Sequence, residues 1–148
     1  MKSTPSDYLK FWKIIRYYMK AKHGLTQADL DMILFLYSEK YFNKNKFAEF
    51  DELLAWDIKR FDKLRQDGWI QVFRKGGRGR KALYQMSDKG LNLCRDIYRK
   101  LNGEEIPTSI SNNPMFKKNV SYSDKVYRNM IKLMNDFIKQ QRHQTHEL

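Results

Sequence analysis

The hydrophobic pattern changes its period between Trp69 and Met86, and this change restricts the possible folds of the chain more than any other feature. Residues 69–73 are rich in aromatic and β-branched side chains, which favour strands. Residues 75–79 contain three glycines and suit a turn, and residues 82–86 can return as the partner strand. The segment therefore predicts a β-hairpin with a basic tip, set in a chain whose other segments show helical spacing.

The first helix is predicted over residues 7–22, with Ser6 as its N-cap and Gly24 as its stop. Its main apolar stripe consists of Tyr8, Phe11, Trp12, Ile15, Tyr18 and Met19, and Leu9, Ile14 and Tyr17 lie outside that stripe. A surface helix of a small domain needs one apolar side only. The pattern therefore indicates burial on two sides, for example against a second subunit.

A second helix is predicted to begin at Thr26, because Asp29 stands in the capping-box position three residues later, and to end near residues 41–43. A polar connection follows at residues 43–46. A short third helix is marked by Phe47, Phe50, Leu53 and Leu54.

Asp57 is the expected N-cap of a fourth helix, which Asp67 and Gly68 end. The inward residues of this helix are predicted to be Ile58, Phe61 and Leu64. After the hairpin, Ser87 caps a helix over residues 88–101, whose inward face is predicted to contain Leu91, Cys94, Ile97, Tyr98 and Leu101.

Residues 102–119 contain Pro107, Pro114 and many Ser, Asn and Thr residues, and they predict a connecting loop. A last helix is predicted over residues 123–141. Its broad apolar stripe consists of Val126, Tyr127, Met130, Ile131, Leu133, Met134, Phe137 and Ile138.

At 148 residues the chain has the length of one domain. The order of its elements predicts a mainly α fold with a small β-hairpin wing, that is, a winged helix-turn-helix core flanked by a long helix at each end. We divide it into an N-terminal dimerisation helix (1–24), the DNA-binding core (25–101), a linker loop (102–119) and a C-terminal dimerisation helix with its tail (120–148).

The central segment resembles the MarR-like family of DNA-binding proteins. Residues 64–70 are similar to the end of that family's recognition helix, and Arg80 with residues 86–90 is similar to its wing arginine and the strand end that follows. Two positions depart from the family pattern. Arg78 replaces an acid that helps hold the wing, and Ala55, Trp56 and Asp57 replace small polar residues at the start of the recognition helix. The chain also resembles small winged-helix proteins encoded by bacterial viruses.

The charge distribution agrees with a polyanionic partner. The net charge is +12, and residues 57–81 hold half of it, with 9 basic and 3 acidic side chains. In this architecture the recognition helix enters the major groove of duplex DNA and the wing reaches the neighbouring backbone. The predicted contacts are Lys59, Arg60, Lys63 and Gln66 in the recognition helix and Arg74, Lys75, Arg78, Arg80 and Lys81 in the wing. RNA remains open as the polyanion.

The end helices predict a two-fold dimer, which would set two recognition helices about one DNA turn apart. The predicted interface consists of Phe11, Trp12, Ile15, Met130, Leu133, Met134 and Phe137. The alternative is a monomer in which the last helix folds back on the first.

Sequence-specific or semi-specific DNA binding in transcription regulation is therefore the first hypothesis. A winged-helix protein-interaction or assembly module, for example in a phage particle, is the second. The family resemblance allows a small-molecule effector, which the sequence does not identify.

An enzyme is not expected. The three histidines, His23, His143 and His146, are dispersed and have no acid cluster nearby, so we expect neither a metal site nor a cofactor. Cys94, the single cysteine, fits a buried helix residue in a reducing cytosol, and a redox role has no resolving cysteine within the chain. With no apolar run long enough for a membrane span, the expected location is the cytoplasm of a bacterial or phage-infected cell.

Overall fold

A computed structural model describes residues 8–46, 48 and 58–147 of the chain. The predicted N-caps Ser6 and Asp57, the third-helix residues Phe47, Phe50, Leu53 and Leu54, and the segment Ala55 to Trp56 lie outside the described residues. The described elements are helices α1 (Tyr8–His23), α2 (Gln27–Leu36) and α3 (Ile58–Gln66), strands β1 (Ile70–Arg74) and β2 (Leu83–Met86), helix α4 (Asp88–Leu101), a 3₁₀ turn (Pro114–Phe116) and helix α5 (Tyr122–Glu147). This mainly helical architecture with an antiparallel hairpin confirms the predicted winged-helix fold class.

The chain forms two compact units. One consists of Met1–Leu25 together with Asp96–Leu148, and we call it the end-helix unit. The other consists of Thr26–Arg95, and we call it the wing unit. The boundary between the two units falls within helix α4. The end-helix unit therefore combines the first and last segments of the chain, and the wing unit is the segment between them.

Helix α2 begins with the predicted capping box. The Thr26 side chain accepts a hydrogen bond from the Asp29 amide at 3.1 Å, and the Asp29 carboxylate accepts one from the Thr26 amide at 3.3 Å. The same carboxylate, buried within the unit, accepts a hydrogen bond from the Arg60 guanidinium at 2.6 Å. The capping box therefore also connects the start of α2 to helix α3.

Helix α2 ends at Leu36, not near residues 41–43 as the sequence predicted. Phe42 itself lies outside any helix, because its backbone donates to the Tyr84 carbonyl at 3.0 Å and accepts from the Tyr84 amide at 2.8 Å. A residue paired in this way has strand geometry and cannot continue a helix.

Helix α3 ends in a Schellman motif. The Gly68 amide donates to the Arg65 carbonyl at 3.1 Å and the Trp69 amide donates to the Leu64 carbonyl at 2.9 Å. Gly68 has φ +86°, a conformation that glycine adopts without steric cost. The predicted stop at Gly68 is confirmed.

The inward face of α3 is narrower than predicted. Phe61 and Leu64 are fully buried, whereas Ile58 is 43% exposed and its predicted inward position is wrong. The Phe61 ring packs edge-to-face against Tyr84 at 5.0 Å and against Phe42 at 6.2 Å between centroids. These rings attach the hairpin to the helix.

The hairpin is antiparallel, with Ile70 opposite Met86 and Val72 opposite Tyr84, and its register is interrupted before Arg74. β1 begins one residue later than predicted, at Ile70, and reaches Arg74.

At the tip of the hairpin, Gly77 and Arg80 exchange backbone hydrogen bonds of 3.0 and 3.1 Å across a two-residue turn. Gly79 in that turn has φ +77°. The turn therefore places Arg78 at its apex.

Ser87 caps helix α4, as predicted. Its hydroxyl accepts a hydrogen bond from the Gly90 amide at 3.2 Å and donates to the Gly68 carbonyl at 2.6 Å. A Cβ on Gly90 would lie 2.5 Å from the Met86 side chain and 3.0 Å from the Trp69 carbonyl, so this position requires glycine.

Cys94, Ile97 and Leu101 of the predicted inward face of α4 are buried. Tyr98 is 52% exposed, and its predicted inward position is wrong. Leu93, which the sequence pattern did not place on this face, is buried instead.

In the end-helix unit, α1 packs against α5. The Phe11 and Phe137 rings meet edge-to-face at 5.6 Å, and Tyr17 stacks on Tyr127 at 3.8 Å. The Tyr17 hydroxyl donates to the Asp124 carboxylate at 2.6 Å. Burial, and to a smaller extent this carboxylate, raises the pKa of Tyr17 to about 12.

The predicted connecting loop is an ordered segment with a 3₁₀ turn, since Ile106 and Met115 are buried. The buried Asn135 amide accepts from the Ile106 amide and donates to the Ile106 carbonyl, both at 2.9 Å. Asn113 caps the 3₁₀ turn by accepting from the Met115 amide at 3.1 Å. Side-chain amides thus pair with backbone groups that would otherwise be buried without a hydrogen-bond partner.

We expect Asp29→Asn to lower the free energy of unfolding by about 1.5–3 kcal/mol, the range for a hydrogen bond to a charged group. Burial raises the pKa of Asp29, but the bonds from Arg60 and Thr26 and the charge of Lys63 outweigh it and hold the pKa below its ordinary value. The carboxylate therefore stabilises the fold above its unfolded pKa and loses that effect as the pH falls through its folded pKa.

Urea unfolding between pH 7 and pH 3 checks this. The wild type should lose more stability on acidification than Asp29→Asn, while Asp31→Asn, an exposed acid of the same helix, should behave as the wild type. Parallel losses in the wild type and Asp29→Asn would contradict the assignment.

Candidate nucleic-acid interface

The four predicted contacts of helix α3 have different surroundings. Lys59 and Gln66 are exposed. The Arg60 guanidinium is engaged within the chain, because it donates to Asp29 at 2.6 Å and to the Thr26 hydroxyl at 3.0 Å. The sequence placed Arg60 on the outer side with Lys59 and Lys63, and the buried Asp29 carboxylate accounts for the difference.

Lys63 is 56% exposed in its side chain, and its ammonium lies 3.7 Å from the Asp29 carboxylate. Asp29 therefore offsets part of the positive charge of α3. The charge that the sequence assigns to this helix exceeds the charge that the helix can offer to a partner.

Arg65 is a further exposed cation of α3 that the sequence analysis did not select. Its guanidinium donates to the Tyr84 hydroxyl at 3.5 Å and lies 5.8 Å from the centre of that ring. Its place in the basic segment 57–81 is the sequence signal that marks Arg65 as a further candidate. Contact with a buried tyrosine of β2 gives this arginine a defined position on the outer surface.

Lys89 is a second residue that the pattern did not indicate. Its ammonium donates to the Asp67 carbonyl at 2.9 Å and lies 4.1 Å from the centre of the Trp69 ring. A cation at a helix C-terminus stabilises the exposed carbonyls there. Lys89 therefore supports the end of α3 from the first turn of α4.

The wing cations fall into two groups. Arg74 is half-buried, and its guanidinium donates to the Lys81 carbonyl at 3.3 Å across the hairpin. The exposed members are Lys75, Arg78, Arg80 and Lys81. Among ion pairs between described residues, none involves these four.

The predicted interface residues of the end helices also divide into two groups. Phe11, Ile15 and Met134 are buried within the protomer. Trp12, Met130 and Phe137 are partly exposed, and Leu133 is 70% exposed. The accessible part of the predicted interface therefore consists of these last four side chains.

In the described part of the chain, no group of His, Cys, Asp and Glu side chains could hold a metal ion. None of the described helices combines the length and apolarity that a membrane span requires.

Cys94 is 1% exposed, and burial raises the pKa of its thiol to about 12. Reactivity of a cysteine depends on its thiolate form. These surroundings are those of an unreactive structural cysteine.

We expect the native protein to react with a thiol-specific disulfide reagent at pH 8 at least about a hundredfold more slowly than the urea-unfolded chain, in which the thiol pKa is near 8.5. Stopped-flow absorbance measures both rates. A native rate close to that of the unfolded chain would show that Cys94 is accessible and would reopen a redox role.

No model of a known protein family matches the chain, and no curated protein matches it significantly. Among solved structures, the chain is similar to the one described as "Structure of Disulfide formed AbfR", with 14% identical residues and a TM-score of 0.45. The match covers 95% of this chain and 83% of that chain. Similarity at this level carries no argument about function, and the likeness to the MarR-like family stays a prediction.

Proposed function

We propose that this protein binds duplex DNA as a dimer through helix α3 and the wing, and that it acts in transcription regulation. The observation that carries the proposal is the wing tip, where a two-residue turn presents Arg78 and Arg80 to solvent beside Lys75 and Lys81. Phosphate groups of a nucleic acid are the partners that such a row of cations attracts most strongly.

Helix α3 supports the same function in a more selective way. With Arg60 held by Asp29, the polar side chains that α3 offers to base edges include Lys63, Arg65 and Gln66. Lys and Arg suit guanine edges and Gln suits adenine. The wing would therefore supply most of the affinity, and the second half of α3 would supply the sequence preference.

We expect the double variant Arg78→Ala/Arg80→Ala to lower the slope of log affinity against log salt concentration by about two for each bound subunit, since each lost phosphate contact contributes about 0.9. Fluorescence anisotropy with a random-sequence duplex across a salt series measures this slope. Sequencing the duplexes that stay bound would then show whether a palindrome is enriched.

The matched control is Lys44→Ala/Lys46→Ala. Both lysines belong to the wing unit, but Lys44 pairs with Asp62 at 2.9 Å and Lys46 pairs with Glu39 at 2.8 Å, so their loss should change the slope little. Equal slopes for the wild type and the wing variant would refute DNA binding through the wing.

A protein-interaction role is the second candidate, and one feature of the hairpin favours it. The rings of Tyr41 and Phe73 lie 4.1 Å apart and are 39% and 48% exposed, next to Val72 at 41%. An exposed aromatic cluster is typical of protein contact surfaces. A wild type that binds no duplex at physiological salt would favour this candidate.

The dimer is supported by a second apolar stripe on α5. Ile131, Met134 and Ile138 form the buried stripe, and the neighbouring stripe contains Met130 and the exposed Leu133. A two-fold axis along this second stripe would cover side chains that the protomer leaves in water.

We expect Leu133→Glu to halve the molar mass in solution, because a carboxylate facing its own symmetry mate would be buried without a partner. Size-exclusion chromatography with light scattering gives the mass. Gln140→Glu, at an exposed position of the same helix, is the control that should leave the mass unchanged. A monomeric wild type would contradict the dimer.

A further inference from the structure

The positive charge is distributed between the two compact units in an unexpected way. The end-helix unit contains 15 Lys and Arg residues against 7 Asp and Glu residues, a net charge of +8. The wing unit contains 14 against 10, a net charge of +4. Two thirds of the net charge therefore lies outside the unit that carries α3 and the wing.

Two of these cations lie beside the ring of Phe116. The Arg128 guanidinium lies 5.9 Å and the Lys132 ammonium 5.8 Å from the centre of its ring. Arg128 also donates to the Met115 carbonyl at 3.5 Å, which fixes the direction of its guanidinium. We define the Phe116 patch as Phe116 with its five nearby cations along the chain, Lys117, Lys118, Lys125, Arg128 and Lys132.

The cations of the patch have no carboxylate partner among the described residues. The acid next to Lys125 is Asp124, which accepts the Tyr17 hydroxyl at 2.6 Å. The second half of the same helix is different, because Lys139 and Arg142 both pair with Glu105, at 3.4 and 3.1 Å. Among the described residues, helix α5 thus carries ion-paired cations near its C-terminal end and cations without an ion pair nearer its N-terminal end.

We propose that the Phe116 patch is a second binding surface for the phosphate backbone of duplex DNA. It lies outside α3 and the wing, so it goes beyond the function proposed above. Four of its five cations are exposed, and Arg128 is half-buried. Two like charges four residues apart on a helix repel each other, and a bound anion removes that cost.

The spacing of the helical cations favours a nucleic-acid backbone over an acidic protein. Lys125, Arg128 and Lys132 extend over about 10 Å of helix axis. Along duplex DNA that length contains about three phosphates of one strand.

The test compares two neutralised variants of the full chain by fluorescence anisotropy with a long random-sequence duplex over a salt series. The patch variant replaces all five cations of the Phe116 patch by Gln. The control variant is Lys139→Gln/Arg142→Gln, which removes cations of the same helix that already have a carboxylate partner. Thermal unfolding confirms that each variant is folded.

We expect the patch variant to lower the salt slope by about two or more, and the control to change it by less than one. An unchanged slope in the patch variant would overturn the proposal. A photo-crosslinking amino acid at position 118 gives an independent readout, and it should link covalently to the duplex whereas the same group at position 140 should not. Absence of linkage at position 118 would also overturn it.

The two proposals fail separately. If the salt slope falls in Arg78→Ala/Arg80→Ala and stays at the wild-type value in the patch variant, the wing remains the DNA-binding surface and the patch is rejected. The reverse result would reject the wing and retain the patch.

Discussion

Phe61 lies where helix α3 meets the hairpin, and its packing determines where the wing is held. The ring is fully buried and meets Tyr84 and Phe42 edge-to-face, while Phe42 and Tyr84 also exchange two backbone hydrogen bonds. Aromatic rings are rigid and favour this geometry. The three rings therefore set the direction of β2, and through it the position of β1 and of the cations at the tip.

The carboxylates decide which of the many cations remain for a partner. Asp29 forms ion pairs with Arg60 and Lys63, and Glu105 forms ion pairs with Lys139 and Arg142. The wing tip and the Phe116 patch have no such acid among the described residues. Along the chain, residues 57–81 hold half of the net positive charge. When the residues are grouped by compact unit, the end-helix unit holds two thirds of it.

Local signals were the most reliable part of the sequence analysis. The capping box at Thr26, the glycine stop at Gly68 and the serine cap at Ser87 each depend on groups within a few residues of one another, and the structure contains all of them. The predictions that failed concern which side of a helix is covered. Ile58 and Tyr98 have helical spacing with buried residues, yet they lie at the edge of their stripes and stay exposed.

By itself the sequence determined the order and type of the described helices and strands, the basic character of the wing and the mainly helical class, because hydrophobic period and turn chemistry act over short distances. Tertiary structure alone decided that Phe42 pairs with Tyr84, that the loop before α5 is ordered, and that Arg60 is bound to Asp29. Each of these depends on groups far apart in the chain, and burial makes their pairing obligatory. No pattern within one segment contains that information.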